Sequence, residues 1–233
     1  MFKKITLTAL VALVCLANIA TVNAQQLVGS SSSWSSNWSS QSGSSWNSGP
    51  NGTQRSSFNN FKANSQASNR THAIGSNGQA IVRENVQNRS FENNRGISES
   101  RGLHGVHQSA YNNTRLQGMN GTRTSVGGPG GFVSDTQVTR TNLQNSQGIS
   151  RGIGPNGAYL NRHNNTNGQV MQGRDIRGLG ANGSGFQLQG VRTTGFSNNA
   201  NQNAGFNSNG SFNNINQSQN VFQNTNGFFN AWD

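Results

Sequence analysis

Apolar and polar positions along this chain follow no helical stripe. What stands out is a set of short runs with partial alternation, Ala80–Val86, Phe132–Thr141 and Phe186–Arg192. Val, Ile, Thr and Phe dominate these runs and Gly and Asn separate them, a pattern that favours strands over helices. A Gly-x-Asn-Gly signal recurs between them: Gly49-Pro50-Asn51-Gly52, Gly75-Ser76-Asn77-Gly78, Gly128-Pro129-Gly130-Gly131, Gly154-Pro155-Asn156-Gly157 and Gly180-Ala181-Asn182-Gly183. The terminal glycines keep a period of about 26 residues, with Gly105 dividing the one double interval and Gly210 following Gly183. Phase held over so many intervals marks a tandem repeat.

The repeat has turn chemistry at its fixed point. Pro presets φ at the first turn position, and Asn and Gly tolerate positive φ. Asn-rich breaks near mid-unit, at Asn112-Asn113 and Asn164–Gly168, lead us to expect two short strands and two turns per unit. An irregular β-solenoid with one coil per unit and a string of hairpins both fit. In a coil, Asn and Gln would stack into ladders, but the apolar phase drifts. Val133 matches Tyr159 at the second place after the glycine, whereas Ile81 matches Leu160 at the third.

Both flanks differ from the array. Residues 1–24 have basic Lys3 and Lys4, an apolar run Leu10–Ala17 and a small-residue exit at Val22-Asn23-Ala24, the pattern of a secretory signal peptide. Residues 25–48 set Trp34, Trp38 and Trp46 in serine and read as disordered. Residues 49–209 carry the repeats. Residues 210–233 are rich in Asn, Gln and spaced Phe and read as a terminal repeat or cap with prion-like composition.

Composition sharpens this picture. Only 10% of the 233 residues are charged and 30% are apolar, with 30 glycines, against roughly 25% and 45–50% in an average domain. The expected class is therefore a low-complexity array, largely disordered or β-rich, with no conventional globular core. The one cysteine, Cys15, leaves with the leader, so no disulfide staple is available. Removing Lys3 and Lys4 from the formal +11 leaves +9, almost all arginine and spread singly. That makes a diffuse cationic field and not a nucleic-acid footprint.

No catalytic constellation is present. Glu92 and Glu99 read as solvated carboxylates, His104 and His107 lack a third ligand for a metal, and Gly127–Gly131 lacks the Lys-Ser/Thr of a phosphate loop. No cofactor and no membrane span are implied. Asn-x-Ser/Thr acceptors for glycan occur at Asn37, Asn51, Asn69, Asn88, Asn112, Asn120, Asn164, Asn182, Asn209 and Asn216. With Tyr111 and Tyr159 the only tyrosines and Lys62 the only lysine after the leader, covalent cross-linking has few sites, so any network is mainly noncovalent.

Turns such as Gly49–Gly52 and Gly154–Gly157, set between short polar strands behind a leader, resemble those of repetitive secreted structural proteins of arthropods, of the cuticle, eggshell or silk kind. The resemblance implies an extracellular matrix or coat component that self-associates, with other matrix proteins or acidic polysaccharide as further partners. Two other classes share parts of the pattern: a cationic Gly-rich antimicrobial protein and a bacterial biofilm amyloid.

Overall fold

The computed structural model describes residues 27–75, 77–207 and 210–232. The leader and Asn209 lie outside the described residues. Eight strands follow one another: β1 Leu27–Gly49, β2 Gly52–Ile74, β3 Ala80–Gly102, β4 Gly105–Gly128, β5 Gly131–Gly154, β6 Gly157–Gly180, β7 Gly185–Asn207 and β8 Gly210–Trp232. They form one open antiparallel sheet in chain order. Each strand has 23 or 24 residues, against a usual five or six. At ~3.3 Å per residue a strand is about 75 Å long.

This corrects the expectation of a largely disordered chain. Outside the connections, every described residue lies in a strand, including the Ser/Trp segment, which forms β1. Each 26-residue unit holds one long strand and one turn, not two of each. The mid-unit asparagines that read as breaks run straight through the strands and pair sideways: Asn60, Asn94, Asn113, Ser146, Asn165 and Asn199 stand in one row across the sheet. Within that row the Ser146 hydroxyl donates to the Asn113 amide oxygen at 2.8 Å. Successive units pair as a meander, so coil does not stack on coil as it would in a solenoid.

The corner glycines explain the period. Gly52, Gly78, Gly105, Gly131, Gly157 and Gly183 all have positive φ, and no other residue type does among the described residues. Asn51 and Asn156 therefore stay in ordinary backbone space, and glycine alone takes the strained position. A side chain at Gly52 would also land on the Arg101 carbonyl oxygen and Gly102 of β3. At this end of the sheet Gly49, Gly52, Gly102, Gly105, Gly154 and Gly157 form one row. Glycine thus serves both the turn and the close approach of the next turn beside it.

Register does not stagger. The closing pairs Gly49↔Gly52, Gly102↔Gly105, Gly154↔Gly157 and Asn207↔Gly210 lie in the same row, so the outline of the sheet is a rectangle. Among the described residues no apolar side chain is buried on either face.

Candidate assembly surface

Successive residues of a strand point to opposite faces, and partners in register share a face. Trp34, Trp38 and Trp46, at even spacings on β1, therefore share one face, here the tryptophan face. The other, the serine face, carries a row Ser45, Ser56, Ser98, Ser109 and Ser150. In that row the Ser45–Ser56 and Ser98–Ser109 hydroxyls lie 2.7 Å apart. Such cross-strand pairs set register in a sheet with no core behind it.

Apolar residues gather into rows on the tryptophan face. Trp38, Ala63, Phe91, Leu116, Leu143, Gly168, Phe196 and Val221 cross all eight strands in one line. A second line runs Ala73, Ile81, Val126, Val133, Gly178, Phe186 and Ala231. Trp34, Trp38 and Trp46 are 73%, 70% and 74% exposed. A monomer rarely leaves apolar patches of this extent uncovered.

Rings across the sheet cover glycines in a consistent sense. Phe58 lies over Gly43, Tyr111 over Gly96, His163 over Gly148, Tyr159 over Gly152, Phe196 over Gly168 and Phe222 over Gly195. In each case the ring belongs to the later strand and leans onto the earlier one. Tyr159 reaches past Gly152 to bond His107 two strands away, the ring centroids 5.8 Å apart. His107 thus pairs with a phenol, while His104 sits in the β3–β4 turn. No cluster of three metal-binding side chains occurs among the described residues.

Charge also follows the register. On β3, Glu92 stands between Lys62 and Arg115, Glu84 between Arg70 and Arg123, and Glu99 opposite Arg55. The Arg70–Glu84 pair is 3.3 Å apart, and Glu99 bonds Arg101. On β5 and β6, Asp135 takes Arg174 and Asp175 takes Arg177, both at 2.8 Å. Hydrogen bonding from Arg101 holds the Glu99 carboxyl below its ordinary range, and Arg177, helped by Gln187 and Gln189, does the same for Asp175. Bonding to Asp135 and Asp175 raises Arg174 and Arg177 in turn. The tryptophan face keeps the larger surplus of cations: its two acids, Glu99 and Asp135, stand by Arg55, Arg101 and Arg174, and Arg83, Arg89, Arg95, Arg151, Arg162 and Arg192 are on it besides.

The glycan acceptors scatter through the sheet. Asn51 and Asn182 sit at turns, where the Asn182 amide oxygen accepts from the Ser184 N–H at 3.2 Å. Asn37, Asn69, Asn88, Asn112, Asn120, Asn164 and Asn216 lie within strands. The Asn88 amide oxygen is shielded by its neighbours and has no donor. Sequence reading missed the apolar rows and the glycine–ring pairs, because both exist only between strands.

Shallow furrows run between the side-chain ridges, one of them lined by Ser35, Asn64, Ser90, Met119, Asn142 and Met171. Among the described residues no helix is long and apolar enough to cross a membrane. Compared with known protein families, curated proteins and solved structures, the chain matches none.

Proposed function

We propose that this chain is a secreted structural component of an extracellular matrix or coat and acts by self-association through its β-rich repeats. One observation carries the reading: in a single-layer sheet, with no apolar side chain buried among the described residues, tryptophan, phenylalanine, isoleucine and leucine are left exposed. Burial of apolar surface is the dominant favourable term in folding and association, and here the cover has to come from outside the chain. The leader pattern supports export, and the diffuse arginine surplus fits acidic polysaccharide as a further partner.

Purified protein without residues 1–24, held at neutral pH, tests the reading. Expected are fibres or films with reflections near 4.7–4.8 Å between strands and ~10 Å between sheets, and no killing of bacteria. A soluble monomer that permeabilises bacteria would replace this reading with that of a cationic defence protein. Recovery of the same fibres from a bacterial biofilm would reassign the host, not the physics.

A further inference from the structure

Resting on the self-association reading, we propose that copies add head to tail, β8 of one chain pairing antiparallel with β1 of the next in the register already running across the sheet. Natural sheets protect their edges with charge, proline, bulges or short strands. Here the rule is inverted. β1 and β8 are 23 residues long and contain no charged residue and no proline. Every charged side chain of the described residues lies on β2–β7.

Three features select the partner as a second copy in this geometry. First, eight is an even number of strands, so β1 of a translated copy runs antiparallel to β8. Second, the sheet cannot satisfy its own edges, because closing a barrel needs a staggered register and this register has none. Third, the side chains have a direction. Wherever a ring covers a glycine, the ring comes from the later strand and leans onto the earlier one, a polarity that translation continues and a two-fold axis would reverse.

The joint also matches in detail. Continuing the register places Gly49 beside Gly210, and Trp38 beside Val221 at the end of the row that is apolar on all eight strands. Trp38 and Val221 are 70% and 76% exposed. Because the contact joins unlike edges by translation, with no stagger or rotation to close a ring, it gives an open filament.

The same register pairs Ser35 with Asn224 and Gln41 with Ser218 across the joint, which allows a charge test. A four-lysine variant (Ser35→Lys, Gln41→Lys, Ser218→Lys, Asn224→Lys) sets like charges opposite one another. A mixed variant keeps the two β1 lysines and carries Ser218→Glu and Asn224→Glu. The concentration needed for assembly, measured by sedimentation at low salt, should rise about tenfold for the first and stay near the parent value for the second. A four-glutamate variant should fail alone yet co-assemble with the four-lysine chain, which shows that both fold. If all variants assemble like the parent, growth runs through the faces and the proposal falls. If the mixed variant fails while the two like-charged chains co-assemble, edges pair with their own kind, and the proposal falls again. Failure of every variant, mixed or alone, also overturns it. A parent chain that never assembles would sink the functional reading itself.

Discussion

The ring of Tyr111 on β4 occupies the space that a side chain at Gly96 on β3 would need: a β-carbon there would stand 2.5 Å from it. The obstruction is the far end of a side chain that is 44% exposed, so it can swing away. Gly52 differs, because a β-carbon there meets the backbone of Arg101 and Gly102, and its φ is +124°.

These two glycines should therefore respond differently to alanine. Gly96→Ala gains strand propensity worth ~0.5–1 kcal/mol and displaces a movable ring, so its unfolding midpoint in denaturant should stay near the parent's. Gly52→Ala combines positive-φ strain of roughly 1–3 kcal/mol with a backbone clash that has no local relief. It should shift the midpoint clearly downward. Equal effects at both positions would mean that the corner glycines do not hold the turns.

Residues 25–233 contain no cysteine, so pairing order can be read chemically in a chain without residues 1–24. The Ser98 and Ser109 hydroxyls lie 2.7 Å apart across β3 and β4, close enough for their β-carbons to suit a disulfide. Ser98→Cys/Ser109→Cys should oxidise within one chain under mild conditions. Ser98→Cys/Thr124→Cys, which parallel coils of 26 residues would bring together, should not. Mass spectrometry of the non-reduced peptides decides between meander and coil.

The period was legible in the sequence because glycine at the corners answers two backbone demands at once, and neither tolerates a β-carbon. The strand count was not. Asn112-Asn113 reads as a break from its own neighbours, and its role appears only opposite Gln147 and Ser146 on β5. The drift of apolar phase has the same origin. Comparing Val133 with Tyr159 slides one unit along the next, whereas consecutive strands run in opposite directions and must be folded back. Folded back, Val133 meets Val126 on one side and Gly178 on the other. The charges near Glu84 and Glu92 were visible as residues, but their flanking by Lys62, Arg70, Arg115 and Arg123 needed the register.

Acid should loosen the sheet. Glu99 and Asp175 have carboxyls held below their ordinary range by Arg101 and Arg177, so the folded state binds their protons less tightly than the unfolded chain. Their contribution is present above the ordinary carboxylate range of ~4 and is lost as pH falls through the lowered values. Melting temperature should be flat from pH 7 to about 5 and fall below ~4. A Glu99→Gln/Asp175→Asn variant should show a shallower acid limb. An unchanged limb would assign the acid response to other groups.

The tryptophan face offers the most direct optical test. Trp34, Trp38 and Trp46 project from one side of β1 and are largely exposed, so in a separated sheet their emission should be red and readily quenched by acrylamide. The same face carries the larger arginine surplus, and two such faces brought together would set cation against cation. An acidic polymer between them removes that repulsion while covering the rings. With Trp232 replaced by phenylalanine to isolate the three β1 rings, an acidic polysaccharide should blue-shift their emission and protect it from quenching. Salt should reverse the effect as exposed charges are screened, with the Debye length dropping to about 8 Å at 0.15 M. If the shift instead appears on assembly without polyanion and ignores salt, the rings are covered by contact between copies, and the polysaccharide is not the partner of this face.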